Sequence, residues 1–250
     1  MHEYWKLLLL FGVGSIAGFI NVNAGGGSTI TLPSLIFMGL DSGLANGTNR
    51  VGILFQNISS VSSFRHQKVH QFRQSFILSL FTLPGAVIGA LLSIRVSNEW
   101  FQRILAFVMI GIVCSMLFKR SGQNSTDIGR NHTQHWLIYP AMLGIGFYGG
   151  FIQAGVGYLL MASLYHLLRI GLIQVNMHKV FIVMIYTIPA LSIFIWTGNV
   201  NWGYGLILAA GMAFGGWMGA RTAVKGGEKM IRMILILAIL LMAVKLLRIF

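Results

Sequence analysis

Residues 18–54 read GFINVNAGGGSTITLPSLIFMGLDSGLANGTNRVGIL. An apolar run meets NVNAGGGST and then resumes, so two apolar segments, about 5–22 and 28–40, lie either side of a glycine break. A straight membrane span needs ~20 residues, and the second of these is too short. Backbone that leaves the helix at membrane depth exposes N–H and C=O groups that lipid cannot satisfy. Such a break must therefore face protein or a water-filled cavity. Short, glycine-interrupted apolar segments at matching places in two halves of a chain point to the binding site of a transporter.

The matching place exists. Displaced by 130 positions, the chain aligns with itself without a gap. Gly14 meets Gly144, Ala24 meets Ala154, Gly25 meets Gly155, Gly27 meets Gly157, Asn46 meets Asn176, and Gly85 and Gly89 meet Gly215 and Gly219. The second break reads QAGVG, between segments of about 136–152 and 157–170. Further segments fall at about 44–64, 74–94 and 99–118, and again at 174–196, 202–221 and 230–249. The expected fold is all-α: a polytopic transmembrane helical bundle of two homologous halves, each with a broken or re-entrant helix pair. The expected division is 1–118 for the first repeat, 119–135 for a polar cytoplasmic linker and 136–250 for the second repeat.

Composition agrees. Hydrophobic residues make up 56% and Asp, Glu, Lys and Arg only 9%, against about 25% charged residues in soluble domains. Too few charges are present to cover a water-soluble surface of this size. The +13 balance does not form one amphipathic stripe, so nucleic acid is not an expected partner. The basic residues sit between apolar runs, where they report orientation. The loop Arg65–Arg73, RHQKVHQFR, is strongly basic; its counterpart Thr197–Gly203, TGNVNWG, is uncharged. The next pair reverses the contrast: Arg95 is balanced by Glu99, whereas Arg221, Lys225, Lys229 and Arg232 face Glu228 alone. Equivalent loops thus fall on opposite sides, which makes the repeat inverted, with an odd number of crossings per half. Lys119, Arg120 and Arg130 place the linker inside and both termini outside. Lys245 and Arg248 argue mildly the other way. The N-terminus reads as a first membrane segment rather than a cleaved signal. Cys114 stands alone, without an intrachain disulfide. Trp5, Trp100, Trp136 and Trp202 sit near segment ends, as interfacial anchors do.

The third segment of each half carries a polar stripe. At 100° per residue, Asn46, Asn49, Arg50, Asn57 and Ser60 share one face, and Asn176, Lys179 and Thr187 form the matching stripe. An ionisable group inside a bilayer costs about 2.5–3.5 kcal/mol even on insertion scales, so Arg50 and Lys179 are functional candidates. The bland alternative is that both snorkel to the interface, and that Asn46 and Asn176 merely cap helices. A helix starting at Ser28 and Thr29 would present free N–H groups beside Gly25, Gly26 and Gly27, an anion-binding arrangement. Tight packing is the competing reason for those glycines. Asn23 and Gln153, matched by the displacement, could line the same cradle. Gly85, Gly89, Gly215 and Gly219 read as small-residue helix contacts, and Asp41 as the cap of a turn. His66 and His70 sit in the basic loop, where solvation outweighs a proton-coupling role. His132 and His135 lack a third ligand for a metal, and no cofactor is expected.

The run 18–54, with its glycine break, Pro33, Gly39 and the polar start Ala45 to Thr48, resembles the first signature of the TauE/SafE sulfite-exporter family. Residues 146–181, GFYGGFIQAGVGYLLMASLYHLLRIGLIQVNMHKVF, resemble its repeat. The second half departs from the pattern with Ser163 in place of Pro33 and Met177–His178 in place of Gly47–Thr48. The resemblance implies a membrane carrier linked to sulfite, sulfonates and related organic anions.

The expected function is a secondary carrier of a small sulfur-containing anion in a bacterial inner membrane. The anion would be held near the midplane by Asn23, Gly25, Gly26, Gly27, Ser28, Asn46, Thr48, Asn49, Arg50, Asn57, Gln153, Gly155, Gly157, Asn176 and Lys179. Proton or sodium coupling and a homo-oligomer stay open. An anion-selective channel is the alternative. An intramembrane enzyme would need a nucleophile with its base or a metal site, and a scaffold role has no positive signal. The inversion is testable: cysteines introduced as Lys68→Cys and Val200→Cys should react with impermeant maleimide from opposite membrane faces. Labelling from the same face would refute it.

Overall fold

The computed structural model of the chain describes residues 2–118 and 136–247. The linker 119–135, with Lys119, Arg120, Arg130, His132 and His135, lies outside the described residues. Everything regular in the described part is helical: α1 (His2–Ala24), α2 (Ser28–Phe37), α3 (Ser42–His66), α4 (Phe72–Ser93), α5 (Asn98–Phe118), α6 (Ile138–Phe151), α7 (Val156–Leu168), α8 (Leu172–Trp196) and α9 (Trp202–Leu247). The two last apolar segments are two helices that meet at a kink within α9, in place of the longer loop expected around Arg221–Arg232. Helical geometry fails only at Gly227, with φ 63° and ψ −167°. The residues either side are helix-compatible, so a single glycine is enough for the bend.

Helix limits recur at the 130-residue displacement. Helices α3 and α8 start at Ser42 and Leu172 and end at His66 and Trp196; α4 and α9 start at Phe72 and Trp202. Residues with positive φ recur too: Gly25 and Gly155, Gly39 and Arg169, Lys68 and Gly198. Three described helices are long and apolar enough to cross a membrane, Trp5–Ala24, Phe72–Ser93 and Leu172–Trp196. Helix α2, at ten residues, reaches only ~15 Å and cannot cross a ~30 Å hydrocarbon core.

Small residues set the packing. A Cβ on Gly85 or Gly89 of α4 would fall 2.2 or 2.1 Å from the carbonyl oxygens of Leu143 or Phe147 on α6. On α9, Gly211 and Gly215 stand equally close to the carbonyls of Phe11 and Ser15 on α1. Contacts rise in step along both members of each pair, so α4 runs parallel to α6 and α1 parallel to α9. Helix α3 likewise follows α9, with Thr48 near Gly205 and Ser63 Oγ donating to Trp217 O at 3.3 Å. Helices α3 and α8 run antiparallel. Arg50 near the start of α3 lies over the ring of Phe194 near the end of α8, and Asn57 shares a cavity with Lys179.

The bundle is apolar outside and polar inside. Trp196, Phe37 and Phe107 are 92%, 86% and 74% exposed, while Asn46, Asn49, Arg50, Gln56, Asn57, Asn176 and Lys179 are buried. In water that arrangement would forfeit about 25 cal/mol for every Å² of apolar surface left uncovered; against lipid it costs nothing. Charge separates along the axis. Gln67 Nε2 donates to Ala220 O at 3.5 Å, and Gln71, Arg73, Ile170 and Gln174 line one cleft. Arg65, His66, Lys68, His70, Arg73, Arg169, Arg221 and Lys225 therefore gather at one end. At the other end Ser42 N donates to Asn98 Oδ1 and Asn201 N to Thr48 Oγ1. Lys6, Asp41, Arg95, Glu99 and Arg103 belong there.

Candidate functional site

Helix α1 stops where a left-handed residue turns the chain away. Gly25 has φ 86°, and its N–H donates to Asn21 O at 2.9 Å, closing the last turn. The Asn21 side chain then organises the break: its Oδ1 accepts from Gly27 N at 3.1 Å, and its Nδ2 donates to Gln56 Oε1 on α3 at 2.8 Å. Thr29 Oγ1 donates to Gly26 O at 2.6 Å as α2 begins. The second break uses the same device with different residues. Gln153 and Gly155 have φ 61° and 72°, and the hydroxyl of Tyr148 donates to Ala154 O.

The two breaks touch. A Cβ on Gly25 would stand 2.4 Å from the carbonyl carbon of Gly157, and one on Gly157 would stand 2.4 Å from Gly25 Cα. Only backbone fits between them. Gly26 faces the Tyr158 hydroxyl and Gly27 the Ala17 carbonyl, each inside 3 Å of where a Cβ would be.

Two buried basic side chains, Arg50 and Lys179, cross from one half of the chain to the other. Arg50 Nη1 donates to Gly149 O at 3.1 Å and to Gln153 Oε1 at 3.3 Å, and Nη2 donates to Gly150 O. Asn46 Nδ2, one turn earlier, donates to Phe151 O at 2.9 Å. Together they close the carbonyl end of α6. Lys179 Nζ donates to Asn21 O at 3.0 Å and Val22 O at 2.6 Å, closing the end of α1, and to Asn176 Oδ1 at 2.8 Å. Arg50 is 0% and Lys179 2% exposed, so neither snorkels to the interface. Asn46 and Asn176 lie inside α3 and α8, whose caps are Asp41 and Gly171, so neither caps its own helix; Asp41 does so without a side-chain hydrogen bond.

The breaks, α3 and α8 enclose a cavity of about 10 Å³ lined by Asn21, Ser28, Asn57, Gln153, Gly157 and Lys179, with Val156 and Val183. That is room for about one water molecule. Of the residues singled out in the sequence, Ser28, Asn57, Gln153, Gly157 and Lys179 meet here. Asn49 instead accepts from Thr31 Oγ1 at 2.6 Å, Asn23 Nδ2 donates to Phe19 O and Gly219 O, and Thr48 holds the α8–α9 loop. Asn21, Gln56 and Tyr186, which accepts from Gln153 Nε2 at 3.0 Å, escaped the sequence reading. Asn21 does carry a signal, since it opens the polar run before the glycines.

Electrostatics favour a negative guest. A helix C-terminus carries about −0.5 charge and an N-terminus about +0.5. The carbonyl ends of α1 and α6 lie against Lys179 and Arg50, and α2 and α7 point their positive ends inward. No Asp or Glu occurs in α2, α3, α6, α7 or α8. Among the described residues, buried side-chain polar atoms without a partner are Asn49 Nδ2, Arg50 Nε, Gln56 Nε2, Asn176 Nδ2, Thr187 Oγ1, Asn23 Oδ1 and Asn46 Oδ1. Donors outnumber acceptors, and buried polar atoms are seldom left unpaired without cause. No group of three or more His, Cys, Asp or Glu among the described residues is placed to hold a metal.

Residues 10–246 match the model of the sulfite exporter TauE/SafE family. The chain belongs to the TauE/SafE family. Its relatives include a probable membrane transporter protein, ORF9, of Sinorhizobium sp., 30% identical over 243 residues, covering 96% of this chain and 92% of that one. A probable membrane transporter protein of Haemophilus influenzae is 26% identical over 96% of this chain and 93% of its own length. The probable membrane transporter protein YfcA of Escherichia coli is 28% identical over 96% and 88%. No solved structure matches the chain. With its apolar exterior, the TauE/SafE chain is a membrane protein of a transporter family.

The contact between breaks has a measurable consequence. Gly25→Ala adds both left-handed strain, about 1–2 kcal/mol, and overpacking against Gly157, about 1–3 kcal/mol. Gly39→Ala, at φ 97° with open space around it, adds the strain alone. Thermal unfolding in detergent should show a clearly larger midpoint drop for Gly25→Ala; equal drops would count against the close contact.

Proposed function

We propose that this TauE/SafE protein is a secondary carrier for a small sulfur-containing oxyanion, such as sulfite or a short organosulfonate, in a bacterial inner membrane. The observation that carries the reading is the small cavity where the two helix breaks meet, lined by Lys179, Asn21, Ser28, Asn57 and Gln153 and free of acidic residues. The two halves form an inverted repeat: α3 and α8 correspond at the 130-residue displacement yet run antiparallel, and the basic residues gather at one end. The basic end is cytoplasmic, and the chain crosses the membrane several times.

The anion binds against Lys179 Nζ, the Asn21, Asn57 and Gln153 amides, Ser28 and the backbone of Gly157. Asn23, Gly25, Gly26, Gly27, Asn46, Thr48, Asn49, Arg50, Gly155 and Asn176 shape and brace that pocket. A guest of four or more heavy atoms exceeds the present cavity, so the described state is the closed one. An arriving anion competes with the α1 and α6 carbonyls for the cations. Because each cation reaches into the opposite half, the competition loosens the joint between halves and lets them rock. A cavity too small for a continuous water path suits a carrier, whereas a channel needs a continuous path with weak sequential sites.

In proteoliposomes, a panel of sulfite, sulfate, thiosulfate and short sulfonates should show slow, saturable uptake of at least one member. Single-channel currents would instead establish a pore. Lys179→Ala and Arg50→Ala should each lower that uptake about 10-fold or more at equal folded yield, with Arg65→Ala near wild type. Folded yield matters, because unpairing buried charge partners costs about 3–5 kcal/mol. Equal activity of all three variants would remove the cations from the transport site.

A further inference from the structure

One buried titratable side chain has no part in the cavity. His178 precedes Lys179 on α8, is 0% exposed and faces α4. Its Nδ1 lies 2.8 Å from Ser75 Oγ and its Nε2 3.1 Å from Gln71 Oε1. The amide oxygen of Gln71 can only accept, so Nε2 carries a hydrogen. Ser75 Oγ is also 3.2 Å from Gln71 O. With a neutral ring, the hydroxyl donates to Nδ1. With a charged ring, Nδ1–H donates to the hydroxyl, whose own hydrogen turns to Gln71 O. One hydroxyl rotation therefore satisfies both protonation states.

The site is connected to water. Gln71 is exposed and lines, with Arg73, Tyr139 and Gln174, a cleft of about 520 Å³ at the basic end. The repeat supplies an internal comparison. At the 130-residue displacement His178 corresponds to Thr48, and Gln71 to Asn201. Thr48 Oγ1 accepts from Asn201 N at 2.9 Å. A hydroxyl is thus enough to tie the third helix of a half to the opposite loop, and packing alone does not call for an imidazole.

The surroundings leave a charge on this ring uncompensated. Helix α4 offers Ser75, and the cleft Arg73. Helix α6 offers Tyr139 and Tyr148, and α7 carries Tyr165 and His166. Arg50 of α3 is turned to α6, and α1 meets α8 at Lys179. No carboxylate occurs in α3, α4, α6, α7 or α8. A proton here places a second cation one residue from Lys179, so proton and anion favour each other's binding reciprocally.

We propose that His178, reached from the basic-end cleft through Gln71, takes up a proton that travels together with the anion. The proposal rests on the carrier reading, and two measurements separate the two. In a Cys114→Ser background, Gln174→Cys in the cleft is labelled with impermeant maleimide at about pH 6 and about pH 8. Each rate is divided by that of Lys68→Cys, which removes the pH dependence common to both thiols. The normalised rate should change about threefold or more with pH, and the change should vanish in His178→Gln and His178→Thr. A flat wild type, or the same change in both variants, overturns the proposal whatever the protein carries.

In proteoliposomes the probe is methanesulfonate, whose charge is constant over this range. A proton gradient of about one unit should drive accumulation of up to about tenfold at one proton per anion. His178→Gln should keep counterflow exchange and lose accumulation. Gradient-driven accumulation by both variants refutes the role of His178 and leaves the carrier intact. A wild type that moves no methanesulfonate defeats the sulfonate-carrier reading, and the labelling result then decides on His178 by itself.

Discussion

Peptide groups inside a hydrocarbon layer need partners, and the two helix ends buried in this bundle find theirs in cations from the other half. Arg50 and Asn46 close α6, and Lys179 closes α1. An unsatisfied carbonyl at that depth costs several kcal/mol, and an unpaired intramembrane cation costs about as much again. Each liability cancels the other, which is why the breaks and the charges occur together. The pairing is also crosswise, so neither half can close its own broken helix alone. The same hydrogen bonds that close the helix ends also join the two halves.

Donors at the joint exceed what the carbonyls need. A guanidinium offers five N–H groups and an ammonium three; Arg50 Nε remains unpartnered, as do the amide nitrogens of Asn49, Gln56 and Asn176. Such a surplus is wasteful for a purely structural joint. It becomes useful when an acceptor-only guest with several oxygens enters, because the cations can exchange carbonyl for oxyanion without either being stranded.

Much of this was legible before any coordinates. Gly25, Gly27, Gly155 and Gly157 mark the breaks, since glycine best tolerates φ near +80° and backbone only 2.4 Å from where a Cβ would stand, as between Gly25 and Gly157. The stripe from Asn46 to Asn57 marks the buried face of α3 by its helical period. The sequence could not reveal that Arg50 reaches Gly149 and Gly150 rather than the cavity: side-chain direction across a 99-residue separation is set by how α3 and α6 cross. Asn21 was hidden for a similar reason, as its role comes from the turn that folds Gly27 back onto it. The bend at Gly227 was blurred into a loop because charged residues around it, Arg221 and Lys225, read equally well as a helix end or as loop.

Departures from symmetry are informative in a duplicated molecule. Gly47 must be small, since a Cβ there would meet Asn199 O at 1.9 Å, and Thr48 Oγ1 accepts from Asn201 N. Their counterparts Met177 and His178 fill the matching space beside Ser75 and Gln71. A carrier whose two ends were identical would have no preferred direction for a coupled ion. Replacing a hydroxyl that never titrates by an imidazole at one end alone makes the basic face chemically distinct from the other. The 130-residue displacement relates two similar backbone turns, and single side-chain differences such as Thr48 against His178 are what distinguish their surroundings.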